Sequence, residues 1–467
     1  HSLTNKTTLL AIVLLLSAFR VPQSAIANPT EEALDMIIHN GTIITMEDSQ
    51  SYVTVVGVSG DKITYTGNDT GLLDSADSNT KMINLQGNTL LPGFIDAHSH
   101  WIRDRESQGF SSDQEIISYI LERGWTSVNE LFMRDYDIEN IVALDSQDEL
   151  KVRVNCYMPV SWQYERFGDW YKNYTPGYEY SSKVRIAGIK IFSDSWIGEY
   201  TKQYFQQTEL NNLVQEAHSL GYQIAIHSTS EPSTDIVLNA FENAITDQTG
   251  DYRHRMEHLV LLRDDQIQKM KNLGIIASIQ LSWYNSNWED ATLNHVGLEN
   301  VSLVARWRDI LAAGVKSIGS TDYPYVEEEI ESIVQVMYNA VTRKANKTST
   351  PSDWLLSQTL TIEQVIGLLT IDAAYGTFQE DVKGSIKEGK FADFVILSEN
   401  PFQVDAEQLL DVDIMATIIG GKIEYNTTNF EIQIEKTTST GWNVGFEVLT
   451  SQLILVSVII FLHKIRK

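Results

Sequence analysis

Residues 36–91 carry short apolar runs rich in β-branched residues: "MIIHNGTIITM", "YVTVVGVSGDKITYTG" and "KMINLQGNTLL". Asn40-Gly41 and Gly60-Asp61 interrupt them as hairpin turns do. From Gly93 to about Pro324 the texture changes. Eight strand-like runs alternate with helical patterns: "GFIDAHSH", "GWTSVNE", "VRVNCYMPV", "VRIAGIKIFSDS", "YQIAIHS", "RHRMEHLV", "IIASIQLS" and "KSIGSTDYP". The intervening helical periodicity is clearest over 113–123, 209–220, 264–273 and 302–313. Eight such repeats predict an α/β fold, a (β/α)8 TIM-like barrel over 92–385. Two further helices are expected at 327–342 and 361–374. Then "GSIKEGKFADFVIL" and "IMATIIGGKIEY" return to β pattern. Segments 34–91 and 386–425 are therefore expected to join as one small β-sandwich.

The 467 residues, 43% hydrophobic, suffice for a large core. A formal charge of -27 repels phosphate backbones and disfavours nucleic acid as a partner. The single cysteine, Cys156, excludes an intrachain disulfide and sits in an apolar run that predicts a buried thiol. Both ends carry address signals. An apolar run over 9–19 follows Lys6 and precedes "AIA" at 25–27, which reads as a signal peptide over 1–27. After a linker at 426–445, residues 446–467 are largely apolar and end in "HKIRK", which reads as a hydrophobic membrane anchor with a basic end. These signals predict an exported protein at the cell surface, tethered by its C-terminus. Asn-x-Ser/Thr sites at Asn40, Asn68, Asn173, Asn300, Asn346 and Asn426 suit an extracellular setting.

Strand C-termini of such a barrel converge on one mouth, where active sites are built. The chain puts an unusual set there. His98 and His100 end the first run, with Asp96 in register. Lys190 lies in the fourth run, His227 ends the fifth, His258 the sixth and Asp322 the eighth. Taken singly, each has a structural explanation in packing, snorkelling or a turn. Together they match the nitrogen and oxygen donors of a zinc-type site. His1, His39, His218, His254, His295 and His463 fall outside this pattern; His254 is the nearest competitor to His258.

In their order, "PGFIDAHSH", "GIKIFSD", "IAIHS", "HRMEHL" and "GSTDYP" resemble the amidohydrolase superfamily, nearest its formamide-deformylase-like and D-aminoacylase-like branch. "LTIEQVIGLLTIDAAYG", "GSIKEGKFADFVIL" and "DIMATIIGGKIEY" share the likeness. The resemblance implies that His98, His100 and Asp322 hold a first divalent metal, and His227 and His258 a second. The pair is expected to be zinc. It also implies a carboxylated Lys190 bridging the two ions. Two departures affect the pocket. The long insertion that relatives carry after the first metal motif is missing. Where relatives place a small-residue turn and Gly-Asp-Arg after the His227 position, this chain has "STSEPSTD".

The implied chemistry is hydrolysis of a non-peptide or N-acyl C–N bond by a water acidified between the metals, with Asp322 shuttling the proton and His227 helping to polarise the carbonyl. Trp101, Glu130, Trp196, Glu199, Trp283 and Tyr323 are the expected substrate-binding residues at the mouth. The substrate is expected to be a small molecule. Two other readings stay open: a one-metal heterocycle deaminase, and a catalytically inactive surface binding protein on the same barrel. The sequence leaves oligomeric state open.

Overall fold

Eight parallel strands follow one another in chain order: Phe94–Ser99, Trp125–Glu130, Arg153–Pro159, Val184–Phe192, Gln223–Ser228, Arg255–His258, Ile276–Gln280 and Ser317–Ser320. They coincide with the eight apolar runs. The computed structural model describes residues 34–195, 202–247, 249–325, 332–428 and 430. Outward-facing residues such as Ile189, Ile191, Ile224 and Ile226 share one core with Val214, Val237, Phe241 and Met270 of the surrounding helices. Parallel strands covered in this way are buried along almost their whole length. The eighth and first strands meet just past their ends. Asp322 N–H donates to the His98 carbonyl (2.8 Å), and His100 N–H to the Tyr323 carbonyl (2.7 Å). The seam of the barrel therefore runs through the candidate ligands.

Two expected helices are broken. Over 302–313 only Trp307–Ala312 is α-helical, because Val304 bridges Leu261 and Ala305 takes a left-handed backbone (φ 45°). Over 361–374 the helix divides into Ile362–Leu368 and Ile371–Tyr375. The Leu369 carbonyl at the break accepts from Ile95 N–H of the first strand (2.8 Å) instead of continuing the helix.

The chain ends flanking the barrel form one hydrogen-bonded sheet of eight strands. Met36–Ile44, Tyr52–Ser59, Lys62–Gly67, Lys81–Asn84 and Thr89–Pro92 come from the N-terminal side; Phe394–Leu397, Ile414–Ile419 and Lys422–Asn426 come from the C-terminal side. The two sides join where Phe394–Leu397 pairs antiparallel with Thr89–Pro92. Met36, Ile38, Val56, Leu90, Phe394, Ile396 and Ile418 fill its own core, while Leu91, Val395 and Leu397 pack on the barrel. Gly60-Asp61 is a hairpin turn. Asn40-Gly41 is not: it is a bulge inside one strand, where a Cβ on Gly41 would lie 2.4 Å from the Asn88 carbonyl oxygen. Cys156 is buried.

Among the described residues no helix is long and apolar enough to cross a membrane. The expected signal peptide, the C-terminal anchor and most of the linker lie outside them.

Candidate metal centre

The first and eighth strands deliver three groups to one point. His98 Nε2 lies 3.3 Å and His100 Nε2 3.4 Å from Asp322 Oδ1. The ligand atoms of the three lie within 4.8 Å of one another, and all three residues are buried. Asp322 reaches this point through a left-handed backbone (φ 62°), sparsely populated for a residue with a side chain.

His227 and His258 complete a ring of imidazoles. The centroids of His227 and His258 are 4.4 Å apart, and those of His98 and His258 4.9 Å. Alternation accounts for His227, which shares the inner face with Ala225. His258 has the parity of Met256, whose side chain lies in the outer core. A left-handed backbone at His258 (φ 77°), repeated at Leu259, ends the strand and turns the ring inward. Lys190 is fully buried, and its Nζ has no hydrogen-bond partner. His254, the competitor, lies elsewhere: its Nε2 is 3.0 Å from His218 Nδ1, and its Nδ1 accepts from Ile224 N–H.

Three of the rings are fixed through Nδ1. His98 Nδ1 meets Glu257 Oε2 at 2.6 Å, His227 Nδ1 meets Asp194 Oδ1 at 2.8 Å, and His258 Nδ1 meets Gln280 Oε1 at 3.0 Å. Carboxylate and amide oxygens accept, so each Nδ1 carries the proton and each Nε2 lone pair is left for a cation. Asp194 is itself held by Thr229 and Ser230, through main-chain N–H and hydroxyl groups, at 2.9–3.1 Å. The divergent "STSEPSTD" segment thus locks the partner of His227. Asp194, Glu257 and Gln280 were not foreseen from sequence. A signal existed for Glu257: it shares strand parity with Arg255, and Arg255 Nε donates to it at 2.5 Å.

Burial sets the protonation of the group. It pushes His98 and His258 well below the usual imidazole range, and His100 to about 3. Burial lowers Lys190 to about 8, against the opposing pull of Glu257 and Asp322. It raises Asp322 to about 8, against Lys190 and His227. For Glu257 burial acts upward, but Arg255 and Lys190 outweigh it and hold the carboxyl low. Neutral imidazoles, a carboxylate and a buried amine without a partner form the donor set that a divalent cation takes, and no thiolate is among them.

The centre opens into a cavity of about 770 Å³ lined by Arg103, Phe132, Arg134, Trp162, Phe167, Phe192 and Trp283, among others. Trp283 stacks on His258 at 5.1 Å. Three other expected binding residues do not line it. Trp101 follows two inward histidines, so alternation turns it outward; its ring stacks on Tyr323 at 3.7 Å and its Nε1 donates to Asp96 at 2.9 Å. Glu130 sits beneath the mouth and accepts the Ile102 N–H at 2.9 Å. Trp196 and Glu199 lie outside the described residues. The segment after the third strand forms one wall of the cavity. Its short hairpin, Ser161–Trp162 against Glu165–Arg166, presents Trp162.

The amidohydrolase family profile matches residues 115–425. The chain is 26% identical over 258 residues to YtcJ of Bacillus subtilis, which carries the amidohydrolase name; the match covers 52% of this chain and 47% of that protein. It is 26% identical over 231 residues to the N-substituted formamide deformylase of Arthrobacter pascens, covering 48% and 40%. The chain thus spans about half the length of these curated relatives. Its fold matches an uncharacterised metal-dependent hydrolase from Pyrococcus horikoshii with a TM-score of 0.67 at 19% identity, over 79% of this chain and 99% of that one. With the family profile covering more than half of its length, the chain belongs to the amidohydrolase family.

Proposed function

We propose that this protein is a metal-dependent hydrolase of a C–N bond other than a peptide bond, exported and tethered to the membrane by its C-terminus. One observation carries the hydrolase reading: His98, His100 and Asp322 converge within 4.8 Å, beside a buried Lys190 amine without a partner. The tether rests on the sequence of the two ends alone.

His98, His100 and Asp322 would hold one cation, and His227, His258 and Lys190 a second, zinc being the choice the donors favour. When bound, such ions polarise a carbonyl and acidify a water molecule. A carboxylated Lys190 would add an anionic oxygen donor; burial lowers its amine to about 8, towards the neutral form that reaction needs. Asp322 faces the cavity and moves the proton from water to the leaving nitrogen. Burial raises its proton affinity and a neighbouring cation lowers it, so the carboxyl can take and release a proton near neutrality. His227 donates its Nδ1 proton to Asp194, so its Nε2 would serve the second cation and keeps no N–H for the substrate carbonyl.

The test is elemental analysis of purified protein together with a screen of amides, lactams and ureas. About two metal ions per chain and hydrolysis are expected; about one ion with deamination of a heterocycle would replace this reading with the mononuclear one. Asp322→Asn should lower kcat about a thousandfold. Near-normal turnover in that variant would remove Asp322 from the mechanism. Neither metal nor turnover would leave a binding protein.

A further inference from the structure

Among the described residues, Arg134 is a cavity-lining cation with no ion pair, although the Asp137 carboxylate lies near enough to feel its charge. Arg134 lies just past the second strand and lines the pocket. Its guanidinium rests over Phe167 (4.4 Å to the centroid) and Trp170 (5.6 Å). Its Nε is buried without a hydrogen-bond partner. The nearby Asp137 carboxylate accepts the Arg134 main-chain N–H at 2.9 Å. Among the described residues the side chain has neither an ion pair nor a hydrogen bond. The other arginine on the wall differs, because Arg103 is paired with Asp104. A guanidinium fixed on aromatic faces keeps its donor edge free for a planar anion.

Beside it stands an apolar wall. Phe132 meets Trp162, Phe167 and Phe192 edge-on at 5.7–6.1 Å, and Trp162 meets Phe192 at 4.6 Å. Trp162 remains 42% exposed, although it lines the cavity. Phe192 stacks on His227 at 5.5 Å, so the wall reaches the metal centre.

We propose that the substrate is an amide bearing a free carboxylate next to an aromatic or bulky apolar group, with the carboxylate on Arg134 and the apolar group against Phe132, Trp162 and Phe192. This rests on the hydrolase reading and supplies its substrate class. The net charge of -27 fits a small monoanion better than a polyanion, since an acidic surface repels each further negative charge.

Isothermal titration of the purified full chain with N-benzoylglycine and with N-benzoylglycinamide tests it. The acid should bind at least about tenfold tighter than the amide. Arg134→Gln should abolish that preference and leave the amide's affinity unchanged, while Arg134→Lys should keep part of it. Trp162→Ala, at an exposed position, should weaken both ligands alike. Equal affinities in the wild type overturn the proposal. So does a preference that survives in Arg134→Gln, as binding of the carboxylate to metal would give, or a Trp162→Ala variant that binds both ligands normally. Hydrolysis measured in parallel separates the two readings. Carboxylate preference without turnover of any amide sinks the hydrolase reading and keeps only the carboxylate site at Arg134; turnover of neutral amides without preference keeps the hydrolase reading and overturns that site.

Discussion

His98 shows how much one atom pair can decide. Its Nδ1 is committed to Glu257, and Glu257 is shared with Arg255 in a fully buried pair. Glu257→Gln keeps the shape and removes the charge. Metal affinity should fall about 10–100-fold, read by competition with a chelator. The thermal midpoint should fall too, because Arg255 keeps its charge without a carboxylate. Glu130 is the contrasting case. Burial raises its carboxyl to about 8, so it stays protonated in the folded chain while an unfolded chain ionises it near 4.5. The native state then binds the extra proton between these values. Stability from this group is full below about pH 4.5 and is lost as pH rises through 8. Glu130→Gln should flatten that decline, so its thermal midpoint should gain on the wild type between pH 5 and pH 8.

At the level of the element, the ligands sit where strands stop. Alternation and strand ends made His98, His100, Lys190 and His227 readable in the sequence, because period two places them inside the barrel. His258 breaks that rule, and its left-handed backbone explains why parity failed there. Gly188 illustrates the tolerance of the strands that carry Lys190 and His227. A Cβ at this position would lie 2.4 Å from the Gln223 carbonyl oxygen and 3.0 Å from the Tyr157 ring. Gly188→Ala must push the fourth strand from the fifth. A loss of about 1–3 kcal/mol in chemical denaturation is expected, together with reduced metal content, since Lys190 lies two residues on.

For the whole molecule, the composite sheet and the barrel are joined by a buried charge pair. Arg153 of the third barrel strand donates to Asp393 through Nε (2.6 Å) and Nη2 (2.7 Å), and Asp393 also accepts the Gly420 N–H (2.9 Å). Asp393→Asn leaves the buried guanidinium short of its counter-charge. The expected cost is about 3–5 kcal/mol, read as a shift of the urea midpoint. Metal content should change little if the sheet serves mainly to close the ends of the chain, because the pair lies in the strand half away from the ligands.

The sequence by itself determined the barrel, the composite sheet and the candidate ligands, because local periodicity and residue chemistry are carried in each segment without its partners. Only the tertiary structure decided which polar groups share a neighbour. Asp194 and Glu257 became holders of His227 and His98, Trp101 and Tyr323 became packing, and Arg134 became a cavity-lining cation laid on aromatic faces. Those outcomes depend on distances between segments 30 to 160 residues apart, which closure of the barrel sets and no local pattern encodes.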